Sequence, residues 1–153
     1  MNAEVAPKPS AHILRRVLAL VYDAFPAVAL CMVIATVFVV ALTIGEHDER
    51  AYVHPWTWLH ALEWALCWIV VGAYAVLSWR GGGQTLGMRP WRLRVVAADG
   101  GKPTTRALVI RYAMGTLSLL AGGLGFWWAW IDRDKRTWHD RASGTVIRHE
   151  PKR

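Results

Sequence analysis

A chain of 153 residues is one domain's worth, yet 54% of it is hydrophobic and only 19% charged, which is too apolar for an ordinary soluble domain. The net charge of +7 would point a soluble protein towards nucleic acid. Here the basic residues flank apolar runs, so anionic lipid headgroups account for them and no nucleic-acid partner is expected. The two cysteines, Cys31 and Cys67, both lie inside apolar runs, which excludes a disulfide framework and CxxC metal chemistry.

Residues 1–9, "MNAEVAPKP", have the composition of a disordered tail, and Ser10 can cap a helix that starts near Ala11 and runs to about Ile44. That helix is longer than a bilayer is thick. Its first turns therefore lie at the headgroups, or it bends near Pro26. No charge occurs in 28–44, and no small-x-small site follows the run before the acidic "GEHDER". The segment is thus expected to stay as a membrane helix rather than be removed as a signal peptide. After a short polar loop, a second helix is predicted from about Trp56 to Trp79, of which 64–79 is free of charge.

Residues 80–106 contain glycine clusters and an alternating stretch in which Trp91, Leu93 and Val95 oppose Arg92, Arg94 and Val96. The alternation predicts a strand at 91–97 with a turn at Asp99-Gly100. "GTVIRH" at 144–149 is a second β-branched strand candidate, and the two can pair outside the membrane. Between them, 107–131 is long enough for one span, but Gly122, Gly123 and Gly125 interrupt it, and Trp127, Trp128 and Trp130 suit an interface.

Orientation follows from where Lys and Arg fall. Of the 18, three precede the first span, one lies in 45–55, six in 80–106, one is Arg111, and seven follow residue 131. The N-terminus and the 80–106 loop are expected in the cytoplasm. A complete third crossing would export the basic tail, so a broken or re-entrant third segment with a cytoplasmic C-terminus is expected. The fold class is then an all-α membrane protein with three hydrophobic segments, the third broken or re-entrant, and a small two-strand cytoplasmic element. The division along the chain is a tail at 1–9, a membrane domain at 10–149 and a basic tail at 150–153.

Ionisable groups beside hydrocarbon are the natural site candidates. In "RRVLALVYDAF", Arg16 and Asp23 are seven positions apart and share a helix face about 10 Å apart along the axis. They need a third group between them or a partner from another helix. Arg111, one turn into the third segment and on the same leaflet, is a natural partner for Asp23.

At these residues the chain resembles the RDD family of membrane proteins, named for one arginine near the start of the first helix and two aspartates. "RRVLALVYD" supplies Arg16 and Asp23. "GQTLGMRPWRLRVVAADG" is similar to the family's loop after the second helix, and "RTWHDRASGTVI" to its closing segment, with Asp140 as the second aspartate. The resemblance implies a multi-pass inner-membrane protein of undefined biochemistry, usually suggested to transport an unidentified ligand. The chain departs from the pattern at Pro90-Trp91 and in its ten tryptophans. Arg16, Asp23, Arg111 and Asp140 can be read as an ion-pair latch fixing helix one, helix three and the tail. They can equally be read as a path for a cation or protons.

A second constellation is "HALEWALC", where His60, Glu63 and Cys67 share a face of helix two towards the outer leaflet. A His–Glu pair can move protons near neutral pH. Three mixed ligands on one helix without a partner motif make a poor metal site, and the bland alternative is interfacial or packing residues. Gly82 and Gly87 have phosphate-loop spacing, but Met88-Arg89 replaces Lys-Ser or Lys-Thr, so nucleotide binding is not expected. Trp56, Trp58, Trp79 and the 127–130 tryptophans read as interfacial belts, and Trp64 and Trp68 as packing residues. "DRDKRTWHDR" reads as an interfacial amphipathic segment or a solvated basic face.

No nucleophile–base, paired-carboxylate or Cys/His metal motif occurs, so neither an enzyme nor a cofactor or metal is expected. The leading expectation is movement of a small solute or ion by a homo-oligomer or with a partner membrane protein, because three short segments enclose little volume. The alternative is a non-transporting accessory or scaffold subunit that binds a partner membrane protein or anionic lipid.

Overall fold

The computed structural model describes residues 12–45 and 58–150. The expectations for the 1–9 tail, the Ser10 cap, the polar loop at 46–55, Trp56 and residues 151–153 lie outside the described residues. In chain order the elements are α1 (Ile13–Gly45), α2 (Trp58–Gly82), β1 (Leu93–Ala97), α3 (Thr105–Leu120), α4 (Leu124–Ile131), α5 (Trp138–Ser143) and β2 (Thr145–His149). Two helices are long and apolar enough to cross a membrane, over Ile13–Leu42 and Trp58–Gly82.

The chain forms two compact units. One is Ala24–Tyr74, which carries most of both spanning helices. Helix α1 continues through Pro26, although a proline inside a helix removes one i→i−4 hydrogen bond. The hydroxyl of Thr36 donates to the Met32 carbonyl at 2.8 Å, so this polar group is satisfied within its own helix. Trp64 and Trp68, expected as packing residues, are instead 70% and 45% exposed on the chain.

The other unit takes the chain up to Asp23 and from Ala75 onwards. Its two strands pair antiparallel, Leu93 opposite His149 and Val95 opposite Ile147. The strand alternation holds, with Leu93 and Val95 buried and Arg94 exposed. Strand β1 starts at Leu93 rather than at 91 because Arg92 has φ of 52°, a left-handed conformation that cannot continue a strand. Leu93, Val95 and Ile147 pack with Ala19, Met88 and Leu108, and Val76, Trp79 and Trp91 close the edge of this core.

The third hydrophobic segment is broken, as its glycines suggest. Helices α3 and α4 are bent by 97°, a broken span or a re-entrant loop. Gly122 and Gly123 turn the chain there, with φ of 69° and 79°. Ala121 and Gly123 donate back to the carbonyls of Leu117 and Ser118, closing α3. Gly125 then lets α4 return against α3, since a Cβ at that position would collide with the side chain of Ser118.

Helix α5 has no counterpart among the predicted elements. The segment instead carries a capping box: the Thr137 hydroxyl accepts from Asp140 N, the Asp140 carboxylate accepts from Thr137 N, and Gly144 ends the helix in the left-handed region.

Candidate functional site

The functional candidates of the second unit converge on Asp140. Its carboxylate is 1% exposed at the residue level and is gripped from two sides. Arg16 Nη1, from α1, donates to Oδ2 at 2.8 Å. Arg111 Nη1, from α3, donates to Oδ1 at 2.6 Å and to the Thr145 hydroxyl at 2.7 Å. Thr137 N adds a bond to Oδ2 at 3.2 Å. The first helix, the third segment, α5 and the start of β2 are thus tied through one carboxylate.

Supporting contacts hold both partners of the knot in place. The Arg111 guanidinium lies over the Trp79 ring, 5.7 Å from its centroid, and Trp79 donates its indole N–H to the Met88 sulfur at 3.4 Å. Trp79 is therefore not simply an interfacial belt residue; it supports a buried cation. The Thr145 hydroxyl pairs with that of Ser143, which reaches the His139 carbonyl.

Asp23 is fixed elsewhere. Its Oδ2 accepts from the Thr85 hydroxyl, and its Oδ1 accepts from Gly87 N at 2.9 Å. Arg111, expected beside Asp23, thus meets Asp140 instead. Helix α1 uses its arginine to hold the tail and its aspartate to hold the loop after α2. That loop passes so close that a Cβ on Gly87 would lie 2.4 Å from Ala19 O and 2.6 Å from Asp23 N, both backbone atoms of α1. Only glycine fits there.

The electrostatics follow from burial and charge count. Burial pushes the Asp140 carboxyl up, but Arg111 and then Arg16 outweigh it and hold the group well below the usual carboxylate range. His139 sits beside it, 94% buried and against the Phe126 ring. Burial first, then the Arg111 charge, lowers its imidazole to about 3, with Arg16 adding to the effect and Asp140 opposing it. At neutral pH the knot therefore holds two cations against one anion, with a neutral histidine.

One guanidinium is only half used. Arg16 is 4% exposed, and its Nε and Nη2 have no hydrogen-bond partner among the described residues. The Nδ1 of His139 is in the same position.

His60 and Glu63 lie in the other unit on α2, one turn apart, with Nδ1 to Oε2 at 3.5 Å. Their side chains are 36% and 18% exposed. Among the described residues, no group of three or more His, Cys, Asp or Glu side chains is placed to hold a metal ion.

Sequence reasoning found Arg16, Asp23, Arg111 and Asp140 but missed Thr85, Gly87, Thr137, His139 and Thr145. The signal for Thr137 was present, as Thr-x-x-Asp followed by glycine four residues after the aspartate is a short capped helix. Thr85 and Gly87 carry no comparable local signal, since what they touch is 62 and 64 residues away.

The comparison with known families agrees with this geometry. The model of the RDD family matches residues 10–144, nearly the whole chain, and the protein belongs to that family. No curated protein and no solved structure matches it.

Proposed function

We propose that this RDD-family membrane protein takes part in moving a small solute or ion across the inner membrane as an assembled unit, with the Arg16–Asp140–Arg111 knot as its fixed latch and no catalytic step. A proton carrier has to titrate near the working pH and be reached by water. Asp140 does neither, being sealed and held ionised by two guanidiniums. That observation carries the latch reading.

Strand pairing supports the topology. Strand β1 belongs to the loop after α2 and β2 to the tail, and their antiparallel register requires both on one side of the bilayer. The Arg16–Asp140 bond brings the start of α1 to the same side. A third segment that turns back at Gly122-Gly123 satisfies all three constraints. The excess of Lys and Arg in these regions assigns that side to the cytoplasm.

Assembly is supported by bare helices. None of the most apolar 18 residues of α1 is buried on the chain, and only 11% of those of α2 are. A pathway would run between copies, where the intramembrane pair His60–Glu63 is the candidate for coupling. The alternative reading, an accessory subunit, draws on α4, where Trp127 and Trp130 are 53% and 59% exposed and offer a surface for a partner or for lipid.

Purified protein in liposomes with a pH-sensitive dye under a cation gradient tests the proposal. Flux above empty vesicles that falls in Glu63→Gln, with assembly unchanged, supports it. Flux equal to empty vesicles, together with a partner that co-purifies in fixed ratio, replaces it with the accessory reading.

A further inference from the structure

We propose that the unpaired edge of Arg16 is a binding site for a phosphate oxyanion, supplied either by a lipid headgroup or by free phosphate. The site goes beyond the transport reading and does not depend on any flux.

The argument starts from the geometry of a guanidinium. It presents five N–H groups in a planar fork, and the pair on Nε and Nη2 points the same way, spaced to meet two oxygens of one oxyanion. Arg16 uses only Nη1 in the knot, on Asp140. The bidentate edge, Nε with Nη2, is the part left buried without a partner among the described residues. Buried donors are almost always paired, and leaving donors of a charged group unmet is more costly than leaving neutral ones unmet.

Charge selects the sign of the ligand. Asp23, which could have balanced Arg16 along α1, accepts from Thr85 and Gly87 instead. The knot therefore retains two guanidiniums against the Asp140 carboxylate. A cation would add to that excess, whereas an oxyanion neutralises it and fills the fork. The cluster that sequence alone left open to a cation thus selects an anion.

Depth favours phosphate. Helix α1 has 33 residues and Arg16 is its fourth. Spanning hydrocarbon takes roughly 20 residues. The helix has length to spare, so its first turn can lie among headgroup phosphates. Free phosphate presents the same oxygens to the same fork.

Thermal unfolding of the full-length protein, delipidated in detergent, measures the site. Phosphate stabilises proteins generally by exclusion from their surface, so the criterion is a saturable shift that exceeds that of Arg16→Lys at matched ionic strength. Lysine keeps the charge for Asp140 but lacks the fork, and the apparent phosphate affinity should fall about tenfold or more. A saturable shift with inorganic phosphate in the wild type alone identifies free phosphate as sufficient. A shift with phosphatidylglycerol over phosphatidylcholine in mixed micelles, but none with inorganic phosphate, assigns the headgroup. Equal responses of wild type and Arg16→Lys, or no response to either ligand, overturn the proposal.

Should Arg16→Lys fail to fold, the wild type labelled with 15N-arginine still decides. One Nε–H resonance should shift on addition of either phosphate source and should persist in Arg136→Lys, whose Nε is the other buried, unpartnered arginine donor. No responding resonance, or one that disappears in Arg136→Lys, overturns it. Failure of the liposome assay leaves these equilibrium measurements untouched.

Discussion

Asp140 gives one carboxylate oxygen to each of two arginines, Oδ2 to Arg16 at 2.8 Å and Oδ1 to Arg111 at 2.6 Å. The three side chains are no more than 3% exposed, so their charges are compensated by one another rather than by water. Removing the shared anion is therefore worse than removing one cation. Asp140→Asn leaves two buried guanidiniums facing each other and should destabilise the protein by about 3–5 kcal/mol. Arg16→Met leaves the neutral pair Arg111–Asp140 and should lose clearly less. Thermal unfolding in detergent, with yield as a second measure, checks the order; equal losses for the two variants would contradict a shared-anion latch.

The loop after α2 makes a similar prediction for a residue without a side chain. At Gly87 an added methyl would meet the α1 backbone at 2.4 Å, and backbone inside a helix cannot give way. Gly87→Ala should cost about 1–3 kcal/mol or more. Gly115 lies in α3 with nothing within 4 Å of an added Cβ. Gly115→Ala should be neutral or stabilising by about 0.5–1 kcal/mol, the ordinary helix gain. If both glycines tolerate alanine equally, the close passage of the loop over α1 is wrong.

These two features mark what was legible in the sequence and what was not. Hydrophobic runs and glycines identified the helices and the break at Gly122-Gly123, because both are local properties. Strand alternation around Leu93 and Val95 was legible for the same reason. Pairing was not: Arg16 and Asp140 are 124 residues apart, and a carboxylate in sequence does not say which guanidinium it meets. Arg111 was placed with Asp23 because both lay near one leaflet. The three-dimensional arrangement gives Asp23 to Thr85 and Gly87, whose hydroxyl and amide are polar partners that no charge pattern reveals. Helix α5 was missed for a different reason. Its six residues are too few for periodicity, and only the Thr137–Asp140 cap marks them.

Acid sensitivity should be carried first by His139. Its folded-state value, lowered to about 3 from an ordinary 6.5, means that the unfolded chain binds the proton more readily between those limits. The stability contributed is complete above about pH 6.5 and is lost as pH falls towards 3. Asp140, lowered as well, adds its own loss below the usual carboxylate range. Midpoints of thermal unfolding in detergent should therefore fall between pH 6.5 and pH 4, by an amount on the order of a few kcal/mol in free energy. His139→Gln should flatten that interval without changing the steeper loss at lower pH. A wild type whose midpoint stays constant down to pH 4 would show that the imidazole is not held neutral by burial.

The last prediction concerns which way the chain leaves the membrane. Strand β1 follows the second span and β2 follows α4, and the two pair from Leu93–His149 to Ala97–Thr145. A complete third crossing would separate these strands by a bilayer of roughly 30 Å, which no sheet can bridge. The 97° bend between α3 and α4 removes the conflict, because α4 can lie at the interface with its exposed tryptophans at headgroup depth. Reporters fused after Arg153 and inserted at Gly100-Gly101, the turn after β1, should report the same compartment, and it should be the cytoplasm. The bend itself depends on left-handed backbone at Gly122 and Gly123, where alanine would be strained by about 1–2 kcal/mol per residue. A double alanine variant should thus lose stability or strand pairing rather than simply export the tail, since the seven basic residues after position 131 oppose translocation. A wild-type fusion after Arg153 that is active only outside the cytoplasm would rule out the turning-back of the third segment.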